Sequence, residues 1–544
     1  MKHHSRLLAT ALALAAVATF ASAAAAGASA RAHGVSRPAP VLRMSYPAPA
    51  GVRPHTVGTV PLRVPDPHAY AAQKAAANAA AAGKAARPVS GTSRKAPTIV
   101  RNWAGQRDMA VAPSDSTGAI GTTRYIELIN AKAAVYNRTS NTPTASAPLL
   151  QLTGCASATC SDDVFDPQVI WDPGTNRFYY AADDVVSSTQ HFLAFGFSTT
   201  ATPTLSNTSW CRYNLSFGST LPDYPKLGDT KDFVLLGTNN FTPSFAGSTI
   251  AWVTKPPSGT SCPAAGTFQA GISGTLKNAN GSRAFTPVPG NQIDTSSTGY
   301  AVARPASIPA SGATFLTVFK VTKTATGTAN IPATGSSVPV SAYSVPASAH
   351  QSGTSDTLDT LDARNTQAVL AIDPAHGGVT ALWTQHAVRG GAGSQVRWYE
   401  INPAAHTLIQ NGTISSPSSF IFDGAVSPDR RVNGSSKLFG GDMVIDVVQS
   451  SATTLPAIQV ASKIGSGAIS PLITIATSTA ADTGFDCAQG NGLCRWGDYA
   501  GASPDPAAPT TATAGQVWGS SMLGAPGGSS SSSGWTTRNF AIKP

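Results

Sequence analysis

The densest run of polar and aromatic side chains in the sequence is Arg495-Trp496-Gly497-Asp498-Tyr499. A sugar ring stacks on an indole or phenol face, and its hydroxyls bond charged groups, so this combination suits a glycan. The same residues serve equally well as structural staples, an Asp–Arg pair beside a buried Trp, and both readings stand. Asp223-Tyr224 echoes Asp498-Tyr499, and a recurring motif usually serves the repeat that carries it. Arg364, Arg397 and Arg495 offer three guanidinium forks of the kind that grip a carboxylate bidentately, and Trp398 adjoins the second of them. Tyr399 and Glu400 cannot pair as nucleophile and base by adjacency alone, because neighbours on a strand face opposite ways.

Other chemistries find less support. The carboxylate pairs Asp162-Asp163 and Asp183-Asp184 offer oxygens to calcium, which wants six to eight of them. Neither pair lies in an EF-hand or another dense Asp/Gly loop. Calcium is the one cofactor these residues suggest, and none is expected otherwise. No Gly-x-Ser-x-Gly elbow, HExxH or phosphate-cradling glycine loop occurs. The six cysteines lack CxxC spacing, which argues for disulfides rather than metal. Proximity in sequence suggests Cys155–Cys160, Cys487–Cys494 and, by remainder, Cys211–Cys262, one of 15 possible connectivities.

These groups must be positioned by the body of the chain, and composition narrows what that body is. Charged residues make up 12% of the 544, with 50 Gly and 40 Pro. That excludes a coiled coil or a charge-driven disordered chain. The net charge of +10 is unevenly placed. Residues 1–101 carry thirteen Lys/Arg against one acid, Asp66, whereas residues 102–544 carry 24 basic and 26 acidic residues. The body lacks the clustered basic face that a phosphate backbone requires, so no nucleic-acid partner is expected. Lys2 and Arg6 precede an apolar run from Leu7 to Phe20, followed by Ala21-Ser22-Ala23 and Ala28-Ser29-Ala30. This is the layout of a secretory signal peptide over residues 1–30. The run is too short to span a bilayer, and no membrane span is expected in the mature chain. Residues 31–101, rich in Ala and Pro, read as a pro-region or a disordered spacer.

From residue 102 onward, β-branched and aromatic residues cluster in short runs bounded by Gly, Pro, Asn and Asp. Examples are Arg124–Ile129, Phe192–Phe197, Thr249–Thr254 and Phe315–Thr322. These are strand signals. A strand, an Asx-Pro turn and a second strand recur at Asp172-Pro173, Asp373-Pro374 and Asn402-Pro403. The Asx side chain bonds ahead to its own backbone and Pro presets the turn. One kind of hairpin repeated through a chain with almost no helix predicts an all-β fold, a single β-propeller of six or seven blades over 102–544. Two or three β-sandwich domains are the alternative. A propeller must hide its last sheet edge. The run Trp535–Ile542 is therefore expected to pair with a segment from the first fifty or so residues of the body.

Several phrases, in order, resemble those of secreted bacterial sialidase-like (BNR-type) β-propeller proteins, mostly of unassigned function. They include Asp166-Pro167-Gln168-Val169-Ile170-Trp171-Asp172-Pro173, Asp223-Tyr224-Pro225-Lys226-Leu227-Gly228, Leu361-Asp362-Ala363-Arg364, Val396-Arg397-Trp398-Tyr399-Glu400-Ile401 and Arg495-Trp496-Gly497-Asp498-Tyr499. The resemblance implies a propeller in an extracellular setting and implies no reaction. The Asp-box Ser-x-Asp-x-Gly-x-Thr-Trp of sialidase blades is absent.

The expectation is a secreted, monomeric, non-catalytic propeller that binds a glycan or surface ligand. Its ligand-binding residues would be drawn from Arg364, Arg397, Trp398, Arg495, Trp496, Asp498, Tyr499, Asp223 and Tyr224. A sialidase-like glycoside hydrolase is one alternative and would need two carboxyl groups about 5–10 Å apart in a cleft. A structural envelope or matrix protein is the other and would need no pocket.

Overall fold

In the computed structural model of the protein, residues 41–49, 52, 58–82, 95–256, 261–430, 439–507 and 515–544 are described. The signal-peptide reading falls outside them. Among the described residues, seven sheets of four or five strands follow one another, antiparallel apart from Asn291–Gln292, which lies parallel to Ala368–Asp373 in the fifth. Their first strands are Thr117–Ile120, Asp163–Asp172, Leu221–Asp229, Ala284–Pro289, Ala368–Asp373, Phe420–Pro428 and Gly501–Pro504. These first strands touch in order around a ring, and the seventh touches the first. The chain has the propeller fold, and the arrangement differs from separate sandwiches, where sheets would pack in pairs.

Alternation along each strand explains why the sheets stack face to face. In the second sheet, Ile170, Tyr179, Phe195 and Tyr213 pack against Val234, Leu236 and Ala251 of the third. Their chain neighbours Trp171, Phe178, Tyr180 and Ala194 pack against Ile126, Leu128 and Val135 of the first. A strand apolar on both faces is what a sheet covered on both sides requires.

The Asx-Pro turns form as expected. Asp172 pairs with Arg177 and Asp373 with Val379 across their turns, linking first and second strands. Asn402 pairs with Thr407 and links third and fourth. The disulfides are Cys155–Cys160, Cys211–Cys262 and Cys487–Cys494.

The seventh sheet is closed by the chain's other end. Trp535–Lys543 pairs on one side with Val517–Gly524 and on the other with Thr98–Ala104, which forms the outer edge. The partner strand straddles the expected start of the body at residue 102, while the strand run at Arg124–Ile129 belongs to the first sheet.

The reading of 31–101 as a disordered spacer fails for the described part of that stretch. Leu42–Met44 adds a strand to the outer edge of the second sheet. Residues Pro67–Ala81 form a helix, whose N-cap Asp66 accepts from the Ala69 amide at 2.9 Å. The helix has almost no apolar stripe, so its docking is not legible from its pattern. Ala77 enters a core cluster, Tyr70 and Ala81 pack on core clusters, and polar groups anchor the helix beside them. Lys74 is buried and donates to Thr360 Oγ1 and the Leu361 carbonyl at 2.8 and 2.9 Å. Asn78 accepts from the Ser348 amide at 2.8 Å.

Candidate functional site

The first strands begin at one end of the ring, and there the backbone departs from regular sheet. Six non-glycine residues adopt left-handed conformations at or just before six of these strands: Asp115, Asp166, Tyr224, Thr286, Ala363 and Asp423, with φ between 43° and 68°. Register shifts accompany them in the second, third, fourth and sixth sheets. A bulge of this kind re-aims a side chain out of the pleat, and here it delivers polar groups to the middle of the ring.

The groups delivered form one buried network. Arg364 grips Asp362 with two bonds, Nε to Oδ1 at 2.8 Å and Nη2 to Oδ2 at 3.0 Å. Arg304 adds a third to Oδ2 at 2.6 Å. Burial would raise the Asp362 pKa, but the two guanidiniums overcome it and hold the carboxyl below its usual range. Arg495 reaches Asp359 and Asp498, each at 2.6 Å. Burial nonetheless pushes Asp498 up to about 7. The Tyr224 hydroxyl donates to the Asp498 carbonyl at 2.7 Å, and the Tyr499 hydroxyl to the Pro167 carbonyl at 2.8 Å. The Lys226 ammonium lies 3.4 Å from the Tyr499 ring centroid and 3.9 Å from that of Tyr224, and burial lowers it to about 7.

The N-terminal segment lies across this network. Arg364 donates to the Arg63 carbonyl at 2.7 Å and Arg495 to the Val60 carbonyl at 3.2 Å. Arg63 itself bonds Asp223 at 2.8 Å, and Lys74 stands 3.6 Å from Asp359.

Of the residues singled out in the sequence, Arg364, Arg495, Asp498, Tyr499, Asp223 and Tyr224 converge here. Trp496 is buried beside them, edge-on to Phe422 at 5.9 Å. Arg397 and Trp398 lie elsewhere. Arg397 bonds the carbonyls of Ser341 and Ala342, on the fourth strand of the fourth sheet. Trp398 stacks on Trp383 at 6.3 Å between strands of the fifth sheet. The expected three-arginine cluster is therefore two arginines, because Arg397 sits on a third strand while the other two flank first strands. Tyr399 and Glu400 do point apart, Tyr399 to His386 at 3.0 Å and Glu400 to Gln410 at 2.6 Å. Asp115, Asp166, Lys226, Asp359, Asp362 and Arg63 were not singled out as site residues. Their signal was present, since Asp166, Lys226 and Asp362 fall inside the phrases that carry the family resemblance, and those phrases mark strand beginnings.

The ring's interior leaves little room. The cavity lined by Lys226, Gln168, Gln367 and Thr366 measures about 30 Å³. Two larger spaces open outside it. One of about 370 Å³ lies between the Pro67–Ala81 helix and the third and fourth sheets, lined by Asp66, Tyr70, Gln73, Phe245, Arg283 and Arg304, among others. One of about 400 Å³ lies where the first strands of the second and third sheets end, around Lys231, Lys255 and Lys323.

No family model matches the sequence, and no curated protein matches it. Solved structures similar to the chain include propeller and glycoside hydrolase folds. The Dos1 propeller is 10% identical with a TM-score of 0.36, over 82% of this chain and 94% of that one. The exo-β-1,3-galactanase 1,3Gal43A from Clostridium thermocellum is 10% identical with a TM-score of 0.30, over 71% and 93%. A xylan β-1,4-xylosidase from Bacillus halodurans is 10% identical with a TM-score of 0.27, over 59% and 52%.

Proposed function

We propose that the chain is a secreted, seven-bladed propeller that binds a glycan without turning it over, in the pocket beside the N-terminal helix. The pocket carries the proposal. Its volume of about 370 Å³ suits a small ligand, for which pockets run roughly 300–1,000 Å³. It offers the rings of Tyr70 and Phe245 together with Gln73, Arg283 and Asp66, a mixture of flat apolar faces and hydrogen-bonding groups.

The same geometry speaks against hydrolysis. A cavity of about 30 Å³ at the ring centre holds on the order of one water, not a sugar. Arg364 and Arg495 are matched by internal aspartates and do not wait for a substrate carboxylate. The buried acid on the pocket wall, Asp362, is kept ionised by its arginines, whereas a glycosidase acid must hold its proton near neutrality. Export is supported by the residue 1–30 pattern and by three disulfides, which belong to oxidising compartments. Among the described residues, no helix is long and apolar enough to cross a membrane.

The test is a glycan array run with the full chain beside a panel of chromogenic glycosides. Binding without turnover is expected, and Gln73→Ala combined with Arg283→Ala should weaken the array hit at least tenfold. Release of chromophore from any glycoside overturns the reading.

A further inference from the structure

Three carboxylates from three strands meet where the second and third sheets adjoin at the ring's beginning end. Asp166 lies on the first strand of the second sheet, Asp183 on its second strand and Asp223 on the first strand of the third sheet. One oxygen from each lies within 4.8 Å of the others, and all three residues are buried. Asp223 is bonded by Arg63. Asp183 is 0% exposed, and neither of its oxygens has a hydrogen-bond partner. The Tyr224 amide approaches it but falls short of hydrogen-bond geometry. Asp166 Oδ1 is likewise buried and unpartnered.

We infer that Asp166, Asp183 and Asp223 form a calcium site that joins the second and third sheets. Unpaired carboxylates in a dry interior are costly, and an acceptor with no donor calls for a cation. The charge count fits a divalent ion. Three carboxylates and the one guanidinium bonded to them leave two negative charges. The ligands are all oxygen, with no imidazole or thiolate in the trio, which selects a hard cation over zinc. Three carboxylates in a water-poor interior suit calcium, since magnesium usually keeps several waters and is held by one or two carboxylates. The acidic group formed by Asp482, Asp486, Cys487 and Cys494 offers no such site, because its sulfurs are joined in a disulfide. The calcium site is independent of the glycan pocket, and either can fail without the other.

The experiment is calorimetric titration of the chelator-treated full chain with calcium chloride, paired with thermal melts. One equivalent should bind, and millimolar calcium should raise the melting temperature by several degrees. Asp183→Asn should bind at least tenfold more weakly. It should also melt higher than the wild type when both are calcium-free, since it removes a repelling charge. Asp184→Asn changes a buried carboxylate outside the trio and should titrate like the wild type. If Asp183→Asn does not fold, Asp166→Asn reads the same site. A wild-type chain that neither binds calcium nor melts higher in its presence overturns the assignment, as does an Asp183→Asn or Asp166→Asn variant that titrates normally.

Discussion

The two ends of the first strands use aspartate for different ties. Where these strands finish, aspartates cap their own turns. Asp172 accepts from the Gly174 amide at 2.8 Å and the Thr175 amide at 3.2 Å, Asp373 from the Ala375 amide at 2.7 Å, and Asp505 from the Ala507 amide at 2.8 Å. Two of these aspartates also link neighbouring sheets, Asp172 through Lys255 and Asp505 through Arg138. Where the strands begin, some pairs are local, as Asp362 with Arg364 and Asp498 with Arg495, and others reach far along the chain. Asp359 meets Arg495 across 136 residues, and Asp223 meets Arg63 across 160. Turn caps shape each sheet, ion pairs tie neighbouring sheets to one another, and at the beginning end the ion pairs also hold the N-terminal segment through Arg63 and Lys74.

That contrast can be broken at three places. The largest effect is expected from removing residues 535–544, on which the whole ring depends. The strand buries Trp535, Phe540 and Ile542 and exposes two sheet edges when lost. Each such side chain contributes about 1.5–3 kcal/mol, against a total stability of roughly 5–15 kcal/mol. No cooperative unfolding transition should remain in a thermal melt. A variant that melts at the parent temperature would mean that the ring closes without this sheet.

Next in size is Arg364→Ala, at the beginning end. It leaves Asp362 with Arg304 as its remaining guanidinium and removes the bond to the Arg63 carbonyl, so it should cost about 3 kcal/mol, the low end of what broken buried ion pairs cost. Arg364→Lys should recover little, because an ammonium cannot reproduce the two-pronged grip. Denaturant unfolding measures both.

The smallest effect is at the finishing end. Glu400 lies with Asp373 and His376. Burial pushes its carboxyl up to about 9, and Asp373 adds to the shift. Its unfolded value is near 4.3. Between those values the native state holds a proton that the unfolded chain has lost. The contribution is full below about pH 4.3 and declines as pH rises towards about 9, by up to ~1.4 kcal/mol per pH unit. Glu400→Gln should flatten the dependence of unfolding free energy on pH between 5.5 and 7.5. An unchanged slope would show that Glu400 is ionised in the folded protein.

The same contrast accounts for what the sequence revealed. Strand runs such as Arg124–Ile129, the Asx-Pro turns, the two short disulfide loops and the final strand all rest on neighbours in sequence, and each could be read there. The buried network could be read only as residue types. Nothing near Arg397 or Arg364 says which one reaches the ring centre, since that depends on which strand of a sheet each occupies. The Pro67–Ala81 helix was invisible as a docked element because Lys74, a residue that ordinarily seeks water, is one of the side chains it buries. Asp183 gave a hint as half of an acidic pair, but its partners are Asp166 and Asp223 rather than its neighbour Asp184, which faces Asp162.

The sheet shared by the two chain ends also sets a clock on folding. Thr98–Ala104 is made early, and its partner Trp535–Lys543 emerges more than 400 residues later. At about 5–20 residues per second this wait is on the order of 20–90 s. Throughout it the early strand carries a bare edge of amides and carbonyls open to any passing strand. Arg101 in its middle is the kind of charge that discourages such pairing. The ring is thus a late event, and a nascent chain must keep its first outer strand uncommitted until the last one arrives.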